Sequence, residues 1–120
     1  MKPAISRQRA EQSGREAEDK AAEYLVGQGW QISARRRRTP VGEIDLIARR
    51  PGLVAFVEVK WRHSVRLLDE AIDERRLARV AAATAAIAHE YVRAGDDLTV
   101  DVLLLAPGAE PRHIRNAWQP

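Results

Sequence analysis

At 120 residues, 45% hydrophobic and 31% charged, the chain has length for one modest core and not for two, so a single domain over residues 1–120 is expected. The absence of cysteine excludes a disulfide framework, a thiolate zinc site and a cysteine nucleophile. Net charge is only +3, but 17 of the 20 basic residues are arginine and they cluster, which suits a nucleic-acid partner and is equally produced by codon bias in a GC-rich genome.

Residues 1–6 read as disordered, with Pro3 discouraging an early helix. Met1 to Gln12 is polar, and no run approaches the roughly 18 apolar residues of a membrane span, so a cytoplasmic protein without membrane association is expected. From Arg7 to Gln28 the residues Ala10, Gly14, Ala17, Ala21 and Leu25 recur at helical spacing, and Gly27 and Gly29 mark the end. This stripe is small enough to let the helix approach a sheet closely. Glu18 lies at its edge, either looking toward the sheet or serving as an ordinary solvated helix acid.

Three strands follow, Trp30–Ala34, Glu43–Ala48 and Leu53–Trp61, as an antiparallel meander. Between the first two, Arg35, Arg36, Arg37 and Arg38 run into Thr39-Pro40, and the expectation is a loop whose guanidinium forks grip phosphate, against the alternative of a merely solvated loop. Arg49-Arg50-Pro51-Gly52 supplies the second turn: proline fixes φ and glycine accepts a positive one.

Pairing across that turn brings Asp45 near Glu58. Side chains alternate along a strand, so Glu58 and Lys60 point the same way, roughly 7 Å apart. Glu43, Asp45, Glu58 and Lys60 interleave with Ile44, Leu46, Val57 and Val59, giving one apolar and one ionisable face. Two carboxylates held so close repel unless a cation lies between them, and hard oxygen ligands favour Mg²⁺, or Mn²⁺, held by Asp45 and Glu58. Such an ion suits phosphodiester hydrolysis, with Lys60 orienting water or phosphate as a point charge. The alternative is a solvated hairpin face with cross-strand ion pairs. Against it, Glu58 lies in the nearly continuous apolar run Leu53–Val59, where a charge is costly.

Trp61, Arg62, His63 and Arg66 follow directly and are placed to stack on or contact nucleic acid. A helix then runs from Asp73 as N-cap to Ala94, closed by Gly95, with Leu77, Val80, Thr84, Ile87 and Tyr91 on its buried face. Leu98–Ala106 reads as a buried strand, parallel to the central one because a helix connects them, and Arg112–Ala117 as a short last strand. His63, His89 and His113 lack metal-ligand spacing, no serine has the setting of a nucleophile, and there is no phosphate-binding glycine loop.

Gly42-Glu43-Ile44-Asp45-Leu46-Ile47-Ala48, then Phe56-Val57-Glu58-Val59-Lys60 with Arg62, preceded by Glu18 and Ala21 to Leu25 and ending in Asn116-Ala117, resembles the YraN family of small bacterial proteins regarded as endonucleases. The resemblance spans Gly14 to Trp118. It implies an α/β fold with a restriction-endonuclease-like core, a mixed β-sheet flanked by helices in the order α-β-β-β-α-β-β, similar to archaeal Holliday-junction resolvases. It further implies metal ligation by Asp45 and Glu58, catalysis by Lys60, an auxiliary acid at Glu18, and Arg76 where relatives carry lysine at the start of the second long helix. By analogy with resolvases that cut symmetric junctions, it implies a homodimer. The expected function is thus a Mg²⁺-dependent endonuclease on DNA, branched DNA included. The alternative is a nucleic-acid-binding module that keeps the fold without turnover.

Overall fold

The computed structural model describes residues 4–68 and 72–118, with side chains described from Gly14 onward. Met1–Pro3, part of the segment expected to be disordered, lie outside these, and helix α1 (Ala4–Gly27) begins before the expected Arg7. Strands β1 (Gln31–Arg38), β2 (Glu43–Arg50) and β3 (Leu53–Trp61) follow, then a short 3-10 turn at Val65–Leu67, helix α2 (Glu74–Tyr91), and strands β4 (Asp97–Leu105) and β5 (Arg112–Ile114). The order α-β-β-β-α-β-β is the one expected from the sequence.

All five strands form one sheet in the order β1-β2-β3-β4-β5. β3 pairs antiparallel with β2 and parallel with β4 across the α2 crossover, and β5 returns antiparallel to β4. Pro51-Gly52 makes the β2–β3 turn, with Gly52 at φ 76. That turn fixes the register Leu46↔Val57, Ala48↔Ala55 and Arg50↔Leu53.

Helices cover both faces of the sheet, which explains why β3 is apolar on consecutive residues rather than alternate ones. Ala17, Ala21, Ala22 and Leu25 of α1 pack on Leu46, Ala48, Ala55, Val57, Leu103 and Leu105. Small side chains on α1 permit this close approach. On the other face Ala83 and Ile87 of α2 meet Ile44, Ile47, Val54 and Phe56, and Leu77 and Val80 meet Val100, Val102 and Leu104. The four apolar residues expected to share one face therefore divide: Ile44 faces α2, whereas Leu46, Val57 and Val59 face α1. Full burial of each large aliphatic side chain contributes roughly 1.5–3 kcal/mol, so β3 anchors the molecule.

Several element ends differ from expectation, β2 running past Ala48 to Arg50 among them, and three have a visible cause. β1 continues to Arg38 instead of yielding to a loop, because acids on both flanking helices receive its arginines. α2 stops at Tyr91 rather than Ala94: Val92 is extended, and Asp96 accepts the Arg93 N–H while pairing with Arg49 of β2 at 2.6 Å. β5 ends at Ile114, short of Ala117, where Asn116 turns the chain at φ 53 and donates its N–H to Asp101. No helix among the described residues is long and apolar enough to cross a membrane.

Candidate active site

At Asp45 strand β2 parts from β3: β2–β3 pairing begins at Leu46↔Val57, whereas β1–β2 pairing keeps its register from Arg35↔Leu46 to Arg37↔Ile44, its irregularity lying at Ile32/Ala34. Opposite it, Arg36 adopts φ 48, in the left-handed region that costs a non-glycine residue energy. Asp45 compensates with its side chain, whose Oδ2 accepts the Val59 N–H at 2.8 Å. Its carboxyl is 9% exposed and pushed up to about 7, first by burial and then by the charge of Glu58, against the pull of the Val59 hydrogen bond.

Glu58 is 2% exposed. Its Oε1 accepts from Arg76 Nε at 3.0 Å and lies 3.4 Å from Lys60 Nζ, as the same-side placement of residues 58 and 60 requires. Its Oε2 is buried with no hydrogen-bond partner among the described residues. Arg76 reaches Glu58 from the first turn of α2, where Asp73 caps the helix by accepting the Arg75 and Arg76 N–H groups.

Glu18 arrives from α1. Carboxylate oxygens of Glu18, Glu43 and Asp45 all lie within 4.8 Å of one another, and Arg36 Nε donates to Glu18. Glu18, Asp45, Glu58, Lys60, Arg62 and Arg76 line one cavity of about 450 Å³. This donor set fits a hard divalent cation: it is all oxygen, one carboxylate is held up in pKa by burial and a like charge, and another has an unsatisfied buried oxygen. Asp45 and Glu58, the ligands expected from sequence, are thus joined at the cavity by Glu18, and Glu43, expected on the ionisable face, reaches Glu18 and Asp45 from beside it.

The four consecutive arginines are strand residues, not the expected loop. Arg35 pairs with Asp19 at 3.0 Å, Arg36 with Glu18, Arg37 with Glu90 at 2.6 Å, and Arg38 with Glu43 at 3.8 Å. Arg35, Arg36 and Arg37 thereby tie the two helices to the sheet edge, whereas Arg38 stays exposed beside Glu43 of the neighbouring strand. Arg62 lines the cavity and donates Nη1 to the Trp61 carbonyl at 2.8 Å.

The profile of a family described as Uncharacterised protein family UPF0102 matches residues 17–105. The UPF0102 protein of Erythrobacter litoralis is 61% identical over 116 residues, 97% of this chain and 100% of that one. That of Sphingopyxis alaskensis is 52% identical over 116 residues, with the same 97% and 100% coverage, and that of Rhizorhabdus wittichii 46% over 109 residues, 91% and 92%. The chain belongs to the UPF0102, or YraN, family.

The segment matched to UPF0102 carries Glu18, Glu43, Asp45, Glu58, Lys60 and Arg76, hence every residue of the acid cluster and its cationic partners. One buried polar constellation reaches past its end. Asp101, fully buried on β4, lies 2.7 Å from His113 Nε2 and accepts the Asn116 N–H at 2.9 Å. His113 stands edge-on to Trp30, whose ring Arg50 and Arg115 flank. This set fastens β5 to the sheet, and its only sequence signal was an aspartate inside the apolar run of β4. Glu43 could have been found from its place two residues before Asp45.

Proposed function

We propose that this UPF0102 member is a Mg²⁺- or Mn²⁺-dependent endonuclease that hydrolyses phosphodiester bonds in DNA, branched DNA included. The observation that carries the reading is the meeting of Asp45 with Glu58 and its unsatisfied Oε2 at one cavity, beside Lys60. A buried, unsatisfied carboxylate oxygen costs about 1–3 kcal/mol or more, a cost that a ligand would remove. Asp45 and Glu58 would hold the cation, with Glu18 and Glu43, whose carboxylate oxygens lie within 4.8 Å of that of Asp45, adding ligands on the Asp45 side directly or through water. When bound, such a cation supplies positive charge toward the scissile phosphate and lowers the pKa of water in the site.

The chain's own groups do the rest. Lys60 is held by Glu58 with its Nζ at the cavity and orients water and phosphate. Arg76, partly exposed and pinned on the same oxygen, supports the phosphate's charge from the α2 side. Water adds to phosphorus and gives up a proton to solvent, the bond to the leaving oxygen breaks, and that oxygen takes up a proton from solvent. Phosphate contacts farther along the duplex fall to Arg62 at the cavity, to Arg79, which lines a neighbouring cleft with Arg76, and to the exposed members of the Arg35–Arg38 run.

The test is cleavage of linear, nicked and four-way DNA in Mg²⁺ or Mn²⁺. Metal-dependent cutting of one of these supports the reading. Salt-sensitive binding with no cutting of any supports instead a binding module that keeps the fold.

A further inference from the structure

A second cavity adjoins the first and shares two walls with it, Ala17 of α1 and Trp61 at the end of β3. It measures about 340 Å³, at the small end of ligand pockets, room for one planar ring system. It opens beyond the carboxyl ends of the parallel strands β3 and β4, where Trp61 pairs with Leu105, the position at which open α/β sheets place ligands. Its far wall is a closed turn: the Ala109 N–H donates to the Ala106 carbonyl across Pro107-Gly108, with Gly108 at φ 71. Proline and a positive-φ glycine preset that wall. Lys20 stands on the rim, one helical turn from Glu16.

Trp61 is 37% exposed, whereas Trp30 is 4% exposed and Trp118 packs against the α2-side core. A tryptophan kept open at the mouth of two joined cavities presents a stacking surface to whatever occupies the smaller one. Base–aromatic stacking is indifferent to sequence, because every base has a π-face. A paired base would first have to leave its duplex, at a cost of a few kcal/mol, whereas an unpaired base enters without that cost.

We propose that the second cavity is a subsite for one unpaired nucleobase of DNA, stacked on Trp61 next to the scissile phosphate. The chain thereby selects duplex DNA that carries unpaired nucleotides at the cleavage point, such as flaps, overhangs or junctions. This inference rests on the nuclease reading for what happens next door, but binding alone tests it.

Affinities of the full chain are measured by fluorescence anisotropy in EDTA, for a blunt DNA duplex and for the same duplex carrying a single-stranded overhang. Wild type is expected to prefer the overhang by roughly tenfold, the scale of one base–aromatic stack. Trp61→Ala brings the ratio of the two affinities close to one, and Trp61→Phe restores it. Should Trp61→Ala fail to fold, Ala109→Leu, which fills the cavity from its other wall, carries the same expectation. Equal wild-type affinities, or a ratio that survives Trp61→Ala or Ala109→Leu, overturn the subsite. A ratio that behaves as expected in a protein that cuts nothing in Mg²⁺ or Mn²⁺ overturns the nuclease reading and leaves the subsite standing.

Discussion

Asp45 accepts the backbone N–H of Val59 through Oδ2 at 2.8 Å, standing in for a strand-to-strand hydrogen bond at the level where β2 parts from β3. One side chain therefore ties β2 to β3 past the end of their pairing and lines the cavity.

That double role has a pH signature. The Asp45 carboxyl lies up at about 7 in the folded chain against 3.8 in the unfolded one, so between these values the folded state binds more protons. Its contribution to stability is fully present below pH 3.8, falls as pH rises between these values and is gone above about 7. Asp45→Asn keeps an oxygen for Val59 and does not titrate. In metal-free urea denaturation the variant is expected to gain on wild type by a few kcal/mol between pH 5 and about pH 7, and no further above that. A difference between the two proteins that does not change with pH contradicts the raised pKa.

Glu58 holds Arg76 and Lys60 on one oxygen and keeps the other unsatisfied. Glu58→Gln retains the shape and removes the charge. Calorimetric titration with Mn²⁺ is expected to show binding to wild type and a loss of more than about tenfold in the variant, since the amide is a poorer ligand and leaves two cations facing the site. Equal Mn²⁺ affinity would remove Glu58 from the metal site.

Arg36 takes a left-handed conformation opposite Asp45. Arg36→Gly and Arg36→Ala both lose the contact with Glu18, but only glycine adopts φ 48 without strain. Chemical denaturation should find the glycine variant more stable than the alanine one by about 1 kcal/mol. The reverse order would mean that the strand does not hold this turn.

What the sequence made legible followed from local rules. Period-two alternation and the Pro51-Gly52 turn were enough to set Asp45 near Glu58 and to aim Lys60 with it, and the apolar run of β3 announced burial on both faces. Beyond reach were pairings between distant residues. Arg37 meets Glu90 across 53 positions, and Arg36 meets Glu18 across 18, so a run that reads as free positive charge is neutralised by acids on two helices. The parting of β2 from β3 at Asp45 and the left-handed Arg36 opposite it were equally hidden, since neither has a local sequence signal.

Asp73 links helix stability to the site. As N-cap of α2 it accepts the N–H groups of Arg75 and Arg76, and Arg76 reaches Glu58 from that turn. Asp73→Ala is expected to cost about 1 kcal/mol in denaturation. Fraying of the turn also loosens Arg76, so any cleavage activity falls further than stability does. A variant with full activity and lowered stability would detach Arg76 from catalysis.

The most direct measurement is the initial rate of DNA cleavage in Mn²⁺ or Mg²⁺ by wild type and by Asp45→Asn, each folded by circular dichroism and assayed on the substrate that wild type cuts best. The expected result is metal-dependent cleavage by wild type, abolished by EDTA and reduced by at least about a hundredfold in the variant. Cleavage at the same rate in both proteins would contradict the assignment of Asp45, and no cleavage by wild type on linear, nicked or branched DNA would contradict the enzyme itself.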